Sequence, residues 1–201
     1  KSIPEAAILG VGCGAQIKFA NLKVGEPVVD HGSGAGIDAF LSANKVSKSG
    51  KVIGIDMTDE MLYKARKNAK EGNYTNVEFR KGDIENNIPV DNNTVDAVIS
   101  NCVINLTSDK TGAFREVHRI LKQGGRMVIS DLVTDREIEH GQVNADQWCS
   151  CIDGALTKEN YIQSIKKAGF ENVDVLEERT YMEGEKVNGR KISSLVIRAI
   201  K

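Results

Sequence analysis

A chain of 201 residues with 40% hydrophobic content and a formal net charge of −1 has the makeup of an ordinary folded domain. There is no basic excess to suit nucleic acid, and no run of roughly 18 apolar residues to span a membrane. The four cysteines lack zinc-finger spacing, since Cys149-Ser150-Cys151 is a C-x-C and no C-x-x-C occurs. Free thiols in a reducing, cytoplasmic setting are the expectation. The apolar stretch Ala6–Gly12 is too short for a signal segment, and only Lys1 precedes it as a positive charge. Gly10, Val11 and Gly12 before Cys13 also argue against a lipoprotein-type site, which a leucine-led box would mark. The first residue is Lys1 rather than Met, which leaves room for an upstream segment.

Strand and helix signals alternate along the chain. Pro27–His31 reads as an apolar strand ending in a glycine-rich turn, and Gly36–Val46 as the helix after it. Lys51–Asp56 is a second strand, and Asp59–Gly72 a helix with Thr58 at its cap. Asn76–Lys81 and Val95–Asn101 are strands three and four. Lys110–Lys122 is a helix stopped by Gly124-Gly125, and Arg126–Asp131 a fifth strand. Such alternation builds an α/β fold, a mostly parallel sheet with helices on both faces. From residue 134 to 157 the strand signal disappears. Lys158–Gly169 is a helix, Asn172–Glu178 and Ser193–Ile200 are closing strands, and Glu183–Lys191 is a polar turn. No domain boundary is visible, so residues 1–201 are expected as one domain. Residues 1–24 and 134–157 are expected to cover a site above the sheet, where open α/β sheets bind ligands. His31, His118 and His140 form no ligand cluster and read as surface or packing residues.

The turn Asp30-His31-Gly32-Ser33-Gly34-Ala35-Gly36 lies between a strand and a helix. Gly32, Gly34 and Gly36 allow a tight turn and a close backbone approach to a ligand. Nicotinamide-binding domains use similar turns. Asp30, closing the strand, would repel a pyrophosphate but suits a cationic amino group. Asp56 ends the second strand, 20 residues beyond Gly36, where a carboxylate accepts both ribose hydroxyls. Met57 is placed to pack on an adenine face, and Asp83 to accept an adenine amino group. Ile84 and Asn101 complete the set. Any one acid alone could be a loop cap. Three at successive strand ends fit S-adenosylmethionine. With Gly25-Glu26, the Leu121–Arg126 run and the late strand pair, they resemble the class I methyltransferases. That resemblance implies a Rossmann-like, seven-stranded sheet with its last strand antiparallel.

The resemblance sharpens around the cysteines. Ile3-Pro4-Glu5, Gly12-Cys13-Gly14, Gly54-Ile55-Asp56-Met57-Thr58, Val77-Glu78-Phe79-Arg80, the run Ser100-Asn101-Cys102-Val103-Ile104-Asn105-Leu106 with Asp109-Lys110, and Cys151-x-x-Gly154-Ala155-Leu156 are similar to the arsenite S-adenosylmethionine methyltransferases. The similarity runs from Ile3 to about Phe170. It implies that Cys13, Cys102 and Cys151 are the catalytic, arsenic-binding thiols. Arsenic(III) is a soft centre that prefers thiolates. Three thiolates would displace its hydroxides and leave a lone pair to attack the sulfonium methyl in line. No protein base is then required, in keeping with the lack of a histidine or glutamate candidate. The partners implied are arsenite or an arsenic–thiol complex, with glutathione or a thioredoxin-like reductant as co-substrate. Free cysteines more often pack as small buried hydrophobes, and Cys102 after an apolar strand fits that reading too. Cys149 is extra, either inert or redox-active. The chain departs from the family at Ala39, where a cysteine is common, at Gln123, at His31, and in lacking a further cysteine upstream of Ile3. Two rival readings are a methyltransferase of another small molecule, such as a quinone or sterol ring, and a non-enzymatic metalloid-binding protein.

Overall fold

The computed structural model describes residues 16–138, 151–181 and 186–201. Three strands carry the buried centre of the sheet: β1 (Pro27–His31), β2 (Lys51–Asp56) and β4 (Val95–Asn101), with β3 (Val77–Lys81) outside β2. β1, β2 and β4 are runs of Val, Ile and Ala because both of their faces are covered, the usual condition of parallel strands. β5 (Leu121–Thr134), β6 (Asn172–Tyr181) and β7 (Ile192–Ile200) complete seven strands in the order β3-β2-β1-β4-β5-β7-β6. β7 runs antiparallel to both β5 and β6, and the pairs among β1 to β5 are parallel. The Rossmann-like, mostly parallel arrangement expected from the sequence is therefore the one observed.

Helices α1 (Gln16–Ala20), α2 (Ile37–Val46) and α3 (Asp59–Glu71) lie on one face, and α4 (Lys110–Ile120) and α5 (Lys158–Lys167) on the other. Alternate strand residues feed the two cores. Val28, Val52, Ala97 and Ile99 pack with Phe40, Leu62 and Phe79, whereas Val29, Ile53, Val98 and Ile129 pack with Phe114, Val117, Tyr161 and Ile165. A third cluster sits at one end of the sheet. It joins Leu132, Ile152, Ala155 and Ile192 to Cys151, with Cys102 and Val187 against them.

Several boundaries differ from expectation. α4 stops at Ile120, not Lys122, and Leu121 turns extended (φ −66°, ψ 139°) to pair with Val95. The fifth strand is thus 14 residues long and includes the Gly124-Gly125 pair. β6 runs on to Tyr181, three residues past its expected end, because β7 offers partners as far as Ile192. The short α1 and a 3-10 turn at Ile104–Leu106 had no sequence signal strong enough to be expected. His31 is fully buried, and His118 meets Phe170 edge-on with ring centres 5.2 Å apart, so both are packing residues. His140 and Cys149 lie outside the described residues, as do Cys13 and Ile3-Pro4-Glu5.

Candidate active site

β1 is hydrogen-bonded to β2 on one side and β4 on the other, so the chain direction of the crossovers reverses there. A crevice opens at the carboxyl ends of strands at such a point. The glycine turn stands in it. The amides of Gly32 and Ser33 donate to the Ile55 carbonyl at 2.9 and 2.8 Å, tying the turn to β2. Gly34 has φ +50°, and a β-carbon there would meet no described atom within 4 Å, so this stretch of backbone faces open space. Asp56 holds the turn from the neighbouring strand. Its Oδ2 accepts the Gly34 amide and its Oδ1 the Thr58 amide, both at 2.9 Å. Met57, beside it, is 68% exposed, a large apolar side chain left uncovered at the rim.

Asp30 lies deeper, 2% exposed, and its Oδ2 has no hydrogen-bond partner among the described residues. Burial pushes its carboxyl well above the usual range, and the neighbouring Asp38 and Asp56 charges add to the shift against the Ala39 amide. Asp38 opens α2, and burial raises its carboxyl too. Its Oδ2 accepts from Gln16 Nε2 at 2.7 Å and from Asn101 Nδ2 at 3.1 Å. Sequence reading passed over Asp38, although an acid in the first turn of the helix after a glycine turn is a recognisable signal. Its position matters because Gln16 follows Cys13 by three residues and Asn101 immediately precedes Cys102. One carboxylate on the glycine-turn helix thereby links two cysteine-bearing segments. Asp83 is exposed and spends both oxygens locally, on the Glu85 amide at 2.8 Å and Asn86 Nδ2 at 2.9 Å, while Ile84 beside it is buried.

The two described cysteines come together. Cys102 follows the carboxyl end of β4, with its amide donating to the Ser130 carbonyl at 2.9 Å. The Cys151 thiol donates to the Cys102 carbonyl at 2.9 Å, across 49 residues of sequence. Both have left-handed backbones, φ 52° at Cys102 and 66° at Cys151. Non-glycine residues held that way cost on the order of 1–2 kcal/mol and gather at functional sites. Cys102 is half-buried and disulfide-bonded, whereas Cys151, 5% exposed, forms no disulfide. The Cys151 thiol sits in the third apolar cluster, because Ile152 and Ala155 turn inward with it. Among the described residues no three His, Cys, Asp or Glu side chains gather as a metal site.

A buried polar network supports the Cys102 loop. Asp131, at 2% exposure, accepts the Asn105 amide and the Tyr161 hydroxyl at Oδ2, each at 3.1 Å, and the Leu132 amide at Oδ1 at 3.0 Å. Burial nevertheless pushes its carboxyl up to about 7. Asn105 Nδ2 donates to the Leu132 carbonyl at 2.7 Å, and Lys110 Nζ to the Thr107 carbonyl at 3.1 Å. Gly154 explains the C-x-x-G spacing. Any β-carbon there would collide with the Asn105 carbonyl, so only glycine lets the Cys151 loop lie flush on the Cys102 loop.

Comparison with known proteins agrees with this geometry. Residues 22–169 match a family model described as a methyltransferase domain. An arsenite methyltransferase of Halobacterium salinarum is 43% identical over 175 residues, covering 87% of this chain and 44% of that protein. The human arsenite methyltransferase is 36% identical over 177 residues, covering 83% of this chain and 46% of its own length. The chain thus spans about half the length of these curated relatives. The crystal structure of CrArsM, an arsenic(III) S-adenosylmethionine methyltransferase from Chlamydomonas reinhardtii, superposes with a TM-score of 0.81 at 29% identity, covering 100% of this chain and 74% of that one. The chain belongs to the methyltransferase-domain family, has the class I S-adenosylmethionine-dependent fold, and is similar over most of its length to the arsenite methyltransferases.

Proposed function

We propose that this protein methylates trivalent arsenic, as arsenite or a thiol complex of it, using S-adenosylmethionine. The observation that carries the reading is the meeting of the Cys102 and Cys151 loops at the carboxyl edge of the sheet, beside the glycine turn. In this reading Cys13 is the third thiolate. Residues 1–24 and 134–157 of a single domain cover the site, and the protein works in the cytoplasm.

The crevice suits the methyl donor by its donor set. An unpartnered, buried Asp30 oxygen matches a cationic amino group, and Asp56, with lone pairs beyond those given to Gly34 and Thr58, matches ribose hydroxyls. Gly32, Gly34 and Gly36 let the backbone approach, Met57 covers the adenine face, and Asp83, Ile84 and Asn101 border the remainder. S-adenosylmethionine supplies an electrophilic sulfonium methyl. Cys13, Cys102 and Cys151 replace three arsenic-bound hydroxides and leave the metalloid lone pair outward. With the donor bound, that pair would form the arsenic–carbon bond as the sulfur–carbon bond breaks and its electrons return to sulfur. Arsenic is thereby oxidised formally from the trivalent to the pentavalent state, so a thiol reductant such as glutathione or a thioredoxin-like protein is needed to continue. The disulfide-bonded state of Cys102 requires the same reductant before that sulfur can bind metalloid. Positioning alone can supply roughly 7–11 kcal/mol of the barrier.

The test is the purified protein with S-adenosylmethionine, arsenite and a thiol. S-adenosylhomocysteine and methylarsenicals should appear together. Serine at Cys102 or Cys151 should stop turnover and leave methyl-donor binding intact, whereas Cys149→Ser should retain activity. Turnover only with a quinone or sterol acceptor, or arsenite binding without any methyl transfer, would overturn the proposal.

A further inference from the structure

We propose that the buried ion pair between Arg190 and Asp153 is the positioning device that holds Cys151 in its left-handed, inward-facing conformation at the substrate site. The inference rests on the three-thiol reading above. Arg190 lies in what the sequence presents as a polar turn, yet its side chain is 2% exposed and that of Asp153 is fully buried. Arg190 Nη2 donates to Asp153 Oδ1, and its Nη1 reaches the Ile152 carbonyl at 3.4 Å. One guanidinium therefore grips both residues that follow Cys151.

The far end of this grip is itself anchored. Arg190 exchanges backbone hydrogen bonds with Val187, at 3.0 and 3.1 Å, around Asn188 and Gly189. Both of those have positive φ, the form of a tight hairpin turn that asparagine and glycine favour. The Gly189 carbonyl accepts from Arg136 Nη2 at 3.0 Å, and the Lys191 amide donates to Asp135 Oδ1 at 2.9 Å. The hairpin tip between β6 and β7 is thereby fastened to the residues just past β5. Val187 packs against the cluster that contains Cys151.

Geometry explains why such a device is required. A positive φ at a cysteine reverts to extended backbone unless its neighbours over-determine it. On one side, Gly154 lies flush on Asn105, and Asn105 is fixed by Asp131 and Leu132. That contact limits how closely the loop approaches and exerts no pull. The Arg190–Asp153 pair adds a pull to the hydrogen bond that the Cys151 thiol gives the Cys102 carbonyl, because a buried carboxylate deprived of its arginine drives its loop toward solvent. Without Arg190, Asp153 would move outward and carry Cys151 with it.

The test uses the full chain with Arg190→Met, Arg190→Lys and the apolar pair Asp153→Leu with Arg190→Met. Two readouts are taken: the reaction rate of Cys151 with a disulfide reagent, in a background where the other three cysteines are serine, and the arsenite KM against the S-adenosylmethionine KM. Arg190→Met should raise both the thiol rate and the arsenite KM roughly tenfold or more and leave the S-adenosylmethionine KM within about twofold. Arg190→Lys should recover part of each. The apolar pair should restore the melting temperature but not the thiol protection or the arsenite KM. If Arg190→Met does not fold, the lysine variant and the apolar pair decide. Unchanged thiol rate and arsenite KM in the variants that fold, or full recovery of both in the apolar pair, would reduce Arg190 to a fold-stabilising residue and overturn the proposal. Failure of the wild-type protein to bind arsenite would defeat the three-thiol reading instead, and the thiol rate would still decide what Arg190 holds.

Discussion

Asp56→Ala is the perturbation whose consequences follow most directly from the structure. Its two oxygens each accept one backbone amide at 2.9 Å, from Gly34 and from Thr58. Hydrogen bonds to a charged acceptor contribute roughly 1.5–3 kcal/mol each. Asp56 is only half-buried, and water can replace part of what is lost, so the low end applies. A loss of about 1–3 kcal/mol in folding stability is expected, two bonds at the low end less what water replaces, together with a looser glycine turn. In the proposed site the methyl donor would then lose both its ribose acceptor and a preorganised backbone, and its affinity should fall at least about tenfold, or ~1.4 kcal/mol. Asp56→Asn keeps one acceptor oxygen and one amide bond and should fall midway. Denaturant unfolding and calorimetric titration with S-adenosylmethionine measure the two effects. If Asp56→Ala keeps full stability, the amide bonds do not brace the turn. If it keeps full affinity for the methyl donor, the ribose does not sit at the end of β2.

Two buried groups give opposite pH dependences. Burial lowers His31 from 6.5 to about 4, so the stability tied to its neutral form is present above pH 6.5 and lost as pH falls towards 4. Burial raises Asp131 from 3.8 to about 7, so its contribution is full below pH 3.8 and is lost as pH rises through 7. Each slope is at most about 1.4 kcal/mol per pH unit, and the two oppose each other between pH 4 and 6.5. Because Asp30 and Asp38 are also raised, the test is the change from wild type: His31→Leu should make stability fall more steeply as pH rises, and Asp131→Asn less steeply, both read by denaturant titrations at several pH values. A pH profile unchanged from wild type in either variant would mean that the group removed is not perturbed by burial. Gly154→Ala should cost about 1–3 kcal/mol by overpacking, because the Asn105 backbone it meets is fixed by Asp131 and Leu132. A melting temperature equal to wild type would show that the two loops can separate without penalty.

Local pattern made the strands legible. β1, β2 and β4 begin and end at the residues read from the sequence, since continuous Val, Ile and Ala runs bounded by Gly, Asp or Asn leave no other assignment. The start of β5 was misread for an equally physical reason. Leu121 and Lys122 continue a helical pattern, and only Val95 on the neighbouring strand pulls Leu121 into an extended conformation. Asp30, Asp56 and Asp83 were visible because strand ends place them; that Asp83 also accepts from Glu85 and Asn86 of its own loop was not.

What the chain determined by itself is the order of strands and helices, the glycine turn with its acids, and the cysteines with their flanking motifs, all of which depend on residues within a few positions of one another. What the tertiary structure decided is which distant groups share a site. Cys102 and Cys151 meet only because a glycine lets one loop lie on another. Asp38 acquires its role only because Gln16 of α1 and Asn101 of β4, remote from it in sequence, both reach it. Arg190 reads as a solvated turn residue until its ion pair with Asp153 is seen, since one arginine in a polar stretch carries no sign of burial. A single sequence encodes spacing along the chain, whereas desolvation and partner choice arise only when remote segments are brought into contact.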